Sequence, residues 1–242
     1  MFDLNGKKAL VTGSTQGIGF AAAKALAAQG AQVFVNGASS MEKCKAAAEK
    51  IDGAVPVLAD LSDPASYDRL CEATGNVDIL VLNASVQYRR AWDEVPEDEM
   101  EKQLRVNFKS SYELIRRYAP YMKEKKWGRI VTVGSIQQYK PHAAMPIYAA
   151  SKCAQMSLVQ NLASQLAPFG ITVNNLSPGV IDTPRNAAAL SDPDYSQAVY
   201  AKIPMGFAGA PEDCTAGLLL LCSEEGRYIT GIDLLIDGGM HL

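Results

Sequence analysis

Short apolar runs and longer stretches of helical periodicity alternate along the whole chain. The runs at 8–11, 32–35, 54–59, 79–82, 129–133, 171–175 and 234–236 are apolar at successive positions and rich in β-branched residues, the pattern of strands buried on both faces. Helical patterns fill the intervals at 18–29, 41–51, 64–72, 97–122, 148–168 and 211–222. Such alternation predicts βαβ units, hence an α/β fold with a seven-stranded parallel sheet and helices on both faces. No repeat, low-complexity segment or linker breaks the pattern, so residues 1–242 read as a single domain. One section departs from it: 183–209 carries Pro184, Pro193, Pro204, Gly206 and Gly209, and a connection of that length is usually functional or disordered.

The first run leads into Thr12-Gly13-Ser14-Thr15-Gln16-Gly17-Ile18-Gly19, which opens the first helical pattern. Glycines between a strand and a helix let the backbone approach a pyrophosphate, whose charge then meets the helix N-terminus. A tight turn needing positive φ is the alternative, and the Gly-x-x-x-Gly-x-Gly spacing departs from the commoner Gly-x-Gly-x-x-Gly. The fifth run delivers Ser135 to the carboxyl edge of the sheet, where open α/β folds bind ligands. Tyr148 and Lys152 lie four residues apart, one turn along one helix face. A free phenol has a pKa of about 10, and an ammonium held beside it stabilises the phenolate, giving a general acid or base near neutral pH. On its own the pair also fits a packed ring with its ammonium in water.

The 242 residues carry a net charge of -3 and a hydrophobic fraction of 48%, which suits one globular domain with a substantial core. A weakly acidic balance argues against nucleic acid or an anionic membrane as partner. No apolar stretch is long enough to span a bilayer, and the first residues lack a basic region followed by an apolar segment, so a cytoplasmic location is expected. Five scattered cysteines and two histidines suggest neither a redox pair nor a metal site.

In order along the chain, the segment from Thr12 to Gly19, Asp60-Leu61, Asn83-Ala84, Asn107, Ser135, Tyr148 with Lys152, Pro178-Gly179, and Ile229-Thr230-Gly231 leading to Asp237-Gly238-Gly239 resemble the short-chain dehydrogenase/reductase family. The resemblance covers nearly the whole chain. It implies a Rossmann-like, doubly wound NAD(P)-binding domain and hydride transfer between the nicotinamide and a carbonyl or alcohol. It assigns Tyr148 as the proton donor or acceptor, Lys152 as the residue that lowers its pKa and holds the nicotinamide ribose, and Ser135 as a hydrogen-bond donor to the reacting oxygen. Asn107, mildly unfavourable inside a helix, would mark a bend whose backbone holds a water of the proton relay. For the cofactor the resemblance implies Gly13, Thr15, Gln16, Gly17, Ile18 and Gly19 in the glycine-rich turn, Asp60 and Leu61 at the adenine, and Asn83 and Ala84 at the adenosine ribose. Pro178, Gly179, Ile181 and Thr183 would receive the carboxamide, and 183–209 would form a mobile helical lid over the substrate. The family's Asn-Asn-Ala-Gly is here Leu82-Asn83-Ala84-Ser85, and the Cβ of Ser85 should narrow the space there.

Cofactor choice is read after the second run, at Asn36-Gly37-Ala38-Ser39-Ser40. An acid there would bond the ribose 2′-hydroxyl and an arginine would pair with a 2′-phosphate. Neither is present, and with Ser39 and Ser40 as donors the loop favours NADP(H) slightly over NAD(H). Arg89, Arg90, Gln137, Gln138, His142 and Arg185 follow strands at the same edge and suit a hydroxylated, anionic substrate such as a sugar acid, or a polyol. The Arg89-Arg90 pair also resembles gluconate 5-dehydrogenase and deoxygluconate dehydrogenase relatives. One rival activity is reduction of a 3-oxoacyl group on an acyl carrier protein, for which Lys123, Lys125, Lys126 and Arg129 offer a basic cluster. Another is nucleotide sensing without chemistry, which has no need of Asn107, Ser135, Tyr148 and Lys152 together. Tyr112, Ile115, Met156, Leu158 and Leu162 extend the apolar surface of two helices beyond one stripe, and family members pair these helices, so a homotetramer is expected.

Overall fold

Each predicted run forms a strand in the computed structural model, which describes residues 1–242. The strands are β1 (Lys8–Val11), β2 (Gln32–Gly37), β3 (Val55–Leu58), β4 (Ile79–Leu82), β5 (Gly128–Val133), β6 (Ile171–Pro178) and β7 (Asp233–Ile236). All pair in parallel, in the order β3-β2-β1-β4-β5-β6-β7. Parallel neighbours are joined only by crossovers, so the chain winds outward from β1 to β3, returns, and winds the other way from β4 to β7. The reversal leaves a switch point between β1 and β4, where Rossmann-like sheets open a ligand crevice.

The helices are α1 (Gly17–Ala28), α2 (Met41–Ala48), α3 (Ser66–Thr74), α4 (Glu97–Leu104), α5 (Ser110–Lys125), α6 (Pro146–Leu166), α7 (Ala187–Leu190), α8 (Pro193–Tyr200) and α9 (Thr215–Cys222). Alternate strand residues feed opposite layers: Ala9, Val11, Ile79 and Val81 join one core cluster, while Leu10, Leu80 and Leu82 join the other. The first layer is closed by α1, α2 and α9 through Leu26, Ala47 and Leu218. The second is closed by α3, α5 and α6 through Leu70, Leu114 and Val159. Burial of each such leucine or valine contributes roughly 1.5–3 kcal/mol, and the two layers hold the carboxyl edge of the sheet rigid. Ile115, expected on a free helix face, is in the second core cluster instead, whereas Tyr112 is exposed.

Two predicted elements change at the cleft. The pattern at 97–122 is not one helix: α4 and α5 flank a π-helical turn at Arg105–Lys109. β6 runs on to Pro178, since Asn175 to Pro178 pair with β7 even though Asn175 and Ser177 are polar. The irregular section at 183–209 holds α7 and α8, neither with a buried residue. Asp192 caps α8 by accepting from the Asp194 and Tyr195 amides, with Pro193 at the first helical position, as helix starts favour. No helix is long and apolar enough to cross a membrane.

Candidate active site

The carboxyl ends of the strands and the α7–α8 segment enclose a cleft of about 760 Å³, within the range of roughly 300–1,000 Å³ usual for small-molecule sites. Its floor is α6, where Tyr148, Ser151, Lys152 and Gln155 make one buried polar stripe. Lys152 Nζ donates to the Val133 carbonyl (2.7 Å) and to Gln155 Oε1 (3.1 Å), and Gln155 Nε2 donates to Ser111 Oγ (2.9 Å). Burial, with a smaller push from the Arg185 guanidinium, lowers the Lys152 pKa from 10.5 to about 7, because a low-dielectric site disfavours the ammonium. Burial likewise leaves the Tyr148 phenol above its ordinary value, contrary to the expected shift toward neutral pH, with Arg185 and Ser135 offsetting the rise only in part. Arg185 is the charged group that opposes this rise. The Lys152 ammonium turns to Val133 and Gln155 and lies 5.8 Å from the ring centroid.

Ser135 lies two residues beyond β5 and caps a 3-10 turn at Ile136–Gln138 through a capping box. Its hydroxyl accepts from the Gln137 amide (3.2 Å) and its own amide donates to Gln138 Oε1 (3.0 Å), so the hydroxyl proton is left to donate elsewhere. Asn107 is wholly buried in the π-helical turn. Its Nδ2 donates to the Val86 carbonyl and Ser151 Oγ (both 3.0 Å), its Oδ1 accepts from the Val86 amide (2.9 Å), and Ser151 Oγ donates to the Tyr148 carbonyl (2.7 Å). The loop after β4 is thereby tied to the helix that carries Tyr148, and π-turns of this kind recur at functional sites.

The other arm of the cleft fits a dinucleotide. Gly17, Ile18 and Gly19 line it, and no side chain caps the α1 N-terminus, so its free N–H groups and dipole offer a ready anion site. A Cβ at Gly19 would lie 2.4 Å from Asn83 Nδ2 and 2.5 Å from the Gly13 carbonyl, so only glycine lets the turn pack this closely. Asn83 Nδ2 donates to the carbonyls of Thr12 and Gly13 (2.9 Å each), while Thr12 Oγ1 accepts from the Asn83 and Ala84 amides (3.0 Å each). Leu82 and Ser85, the departures from the family pattern, leave this brace intact. Gly13, Thr15, Gln16, Ser39, Asp60, Leu61, Asn83 and Ala84 line the same arm, with Pro178, Gly179, Ile181 and Thr183 across from them. Ser40 is not among them: it caps α2, accepting from the Lys43 amide and donating to Glu42. Asn36 was not foreseen. Buried at the end of β2, it accepts from the Gly13 amide (3.2 Å) and donates to the Ala59 carbonyl (3.1 Å), and an asparagine ending a Val-Phe-Val run was the available signal.

At the substrate end the structure brings together Arg89, Gln137, His142 and Arg185, joined by Lys102, Tyr195 and Lys202, which the motifs did not suggest. Arg90 and Gln138 lie outside. Arg90 pairs with Glu99 at 2.6 Å, and Gln138 donates to Asp233 Oδ2 (3.0 Å). Lys123, Lys125 and Lys126 sit just before β5, at the amino edge of the sheet and opposite the cleft. Arg129 is 2% exposed, stacked 4.4 Å from the Trp127 ring centroid and bonded to the Ser223 carbonyl (3.0 Å). The expected basic docking patch is therefore not at the mouth of the site.

A family described as enoyl-(acyl carrier protein) reductase matches residues 13–241. The 3beta-hydroxysteroid dehydrogenase 1 of Eggerthella lenta is 35% identical over 249 residues, covering 99% of this chain and 95% of its own. The crystal structure of a 3-oxoacyl (acyl-carrier-protein) reductase from Agrobacterium tumefaciens C58 with NADP bound superposes with a TM-score of 0.93 at 36% identity, covering 98% of this chain and 95% of that one. A gluconate 5-dehydrogenase from Burkholderia cenocepacia J2315, in complex with NADP and tartrate, gives 0.92 at 29% identity, covering 99% and 96%. Fold, cleft and similarity together place the chain in the short-chain dehydrogenase/reductase family. It is an NAD(P)-dependent oxidoreductase that moves hydride between a nicotinamide and a carbonyl or alcohol.

Proposed function

We propose that this enzyme interconverts a hydroxy acid and its oxo acid, a sugar acid or similarly hydroxylated carboxylate, with NADP(H) slightly preferred over NAD(H). The observation that carries the reading is the charge of the cleft wall. Arg89, Lys102, Arg185 and Lys202 line it, and the sole carboxylate, Asp60, lies at the β3 end, separated from β5 by β2, β1 and β4. Gln137 Oε1 is buried with no hydrogen-bond partner, an acceptor suited to a substrate hydroxyl. His142 Nδ1 accepts from the Ala144 amide (3.1 Å). Burial, then Arg89 and Lys202, lowers its pKa, so it adds hydrogen bonding and no charge at neutral pH. The similarity to a gluconate 5-dehydrogenase crystallised with NADP and tartrate supports the same class.

A bound dinucleotide would supply or remove the hydride. Gly13, Thr15, Gln16, Gly17, Ile18 and Gly19 would hold its phosphates, Asp60, Leu61, Asn83 and Ala84 its adenosine, and Pro178, Gly179, Ile181 and Thr183 its carboxamide. In reduction the Ser135 and Tyr148 hydroxyls donate to the carbonyl oxygen, and Tyr148 releases its proton as charge builds there. Lys152 would orient the ribose, Arg185 would favour the phenolate, and Asn107 ties the loop after β4 to the helix behind them. For the 2′ position, a Cβ at Gly37 would lie 2.8 Å from both Cys44 Sγ and Thr15 Cγ2, so the acid typical of NAD-selective sites has no room. Ser39 remains as a neutral donor. A cytoplasmic homotetramer, paired through α5 and α6, completes the reading; light scattering that returned a monomer would remove that part.

Steady-state assays with NADPH and NADH, on oxo acids of the gluconate series, their methyl esters and a 3-oxoacyl thioester, test the reading. Oxo acids should exceed their esters in kcat/KM by about tenfold, as a charge-assisted pair gives. Efficient turnover of the thioester alone would replace it with acyl reduction.

A further inference from the structure

A row of polar side chains crosses the carboxyl end of the sheet behind the cleft wall. Thr132, Asn175 and Asp233 are register partners on β5, β6 and β7, and by propensity an acid is out of place in a strand. Asp233 accepts four bonds, all from neutral donors: at Oδ1 from Asn175 Nδ2 (2.9 Å), and at Oδ2 from Gln138 Nε2 (3.0 Å), the Tyr139 hydroxyl (2.8 Å) and the Ser177 hydroxyl (2.8 Å). Gln138 Oε1 in turn accepts from the Ser135 amide (3.0 Å), the bond that completes the capping box. A Cβ at Gly134 would stand 2.3 Å from both Asn175 Nδ2 and Gln138 Oε1, so the cluster packs directly against the backbone that leads into Ser135. Neither Asp233 nor Gln138 lines the cleft, whereas Gly134 and Ser135 do.

The bonds run with one polarity throughout. The Ser135 N–H can only donate and an ionised carboxylate can only accept, so the amide between them has one orientation, with Oε1 toward Ser135 and Nε2 toward Asp233. Asn175 cannot take the other part, because its Oδ1 accepts from the Thr132 hydroxyl and leaves Nδ2 for Asp233. With its amide held by Gln138 and its hydroxyl oxygen accepting from the Gln137 amide, Ser135 is fixed at two points and its hydroxyl proton is left for the cleft. We infer that Asp233 is a positioning residue for Ser135: its charge sets the direction of Gln138, and Gln138 sets the serine. This rests on Ser135 donating to the reacting oxygen, as read above, and on no particular substrate. It also gives a use to Gln138, which does not reach the cleft.

The test is a mutant cycle read in kcat, with NADPH and whichever oxo acid or thioester the assays above find fastest. Asp233→Asn sets a donor against a donor whichever way its amide turns, Asn175 Nδ2 on one side or Gln138 Nε2 on the other, and Gln138→Glu sets two carboxylates face to face. Each should lower kcat by about 10- to 100-fold, the cost of a wrongly aimed active-site group, while KM and the NADPH dissociation constant stay within about twofold of normal. Combining Gln138→Glu with Asp233→Asn reverses the polarity of the pair and keeps both shapes and the net charge, so kcat should return to within about threefold of normal. Ser135→Ala should cost about 10²–10³ by itself, and with it in place neither single substitution should lower kcat further. Should Asp233→Asn fail to fold alone, Gln138→Glu and the paired exchange carry the same comparison. Single substitutions that both leave kcat normal overturn the inference. So does an equal loss with Ser135 present or replaced, or a paired exchange no better than its parts, because Asp233 then acts on the fold and not through Ser135. In those cases a low kcat in Ser135→Ala leaves the serine's role standing, whereas a normal kcat in Ser135→Ala removes that role and the inference together.

Discussion

Tyr148 and Lys152 were readable because their chemistry is unusual at helical spacing, but their neighbours were not. Ser151 and Gln155 continue the same stripe in plain view. What gives the stripe its function is Asn107, Ser111 and the Val133 carbonyl, which arrive from other elements and leave no local trace. For the same reason the bonds of Lys152 to the Val133 carbonyl and Gln155 were not foreseen. Tyr148→Phe keeps the packed ring and removes the proton. It should lower kcat by about 10²–10⁴, the usual worth of general acid catalysis, and leave the NADPH dissociation constant nearly unchanged; a kcat within twofold of normal would refute the role. Lys152 makes a prediction about pH. Its pKa falls from 10.5 to about 7 on folding, so between those values the unfolded chain binds more protons and stability rises with pH. The contribution is fully present above 10.5 and lost as pH falls toward 7. Denaturant titrations should show roughly 2–4 kcal/mol of this rise from pH 7 to 10, absent in Lys152→Met; parallel curves for the two proteins would contradict it.

Strands were legible to within a few residues because parallel strands buried on both faces read as unbroken apolar runs. The errors lie where polar residues continue the backbone pairing, as in Asn175 and Ser177 of β6, or where one extra residue is absorbed, as in the π-helical turn around Asn107. A shift of one residue in a helical pattern is too small to show in hydrophobic periodicity. The β2 end illustrates how an element constrains specificity. Gly37 is held between α2 and the glycine-rich turn, with Cys44 and Thr15 each 2.8 Å from where its Cβ would stand. Gly37→Asp should therefore not convert the enzyme to NAD(H). It should cost about 1–3 kcal/mol through overpacking, seen as a lower Tm, with weaker binding of both cofactors. A stable variant with a clear NADH preference would show that α2 yields more easily than this packing implies.

At the scale of the molecule, alternation of strand and helix was enough to expect a parallel, doubly wound sheet, but the edge on which a charge falls depends on the register of every crossover. Lys123, Lys125 and Lys126 looked like a docking patch and lie at the amino edge. Lys102 and Lys202 drew no notice and line the cleft. The chain as a whole is acidic, with a net charge of -3, so attraction of an anion comes from the cleft and not from the protein's overall field. A concave, low-dielectric wall of one sign focuses its potential outward over about one Debye length, near 10 Å at 0.1 M salt and about 3 Å at 1 M. Salt should therefore weaken capture of an oxo acid without touching a neutral ketone. From about 0.05 to 0.5 M sodium chloride, kcat/KM for the acid should fall several-fold, mostly through KM, while that of its methyl ester stays level. Cofactor must be saturating throughout, because the dinucleotide is itself an anion and would otherwise contribute its own salt dependence. Equal slopes for acid and ester would mean that the cations lining the cleft serve the cofactor and the lid alone.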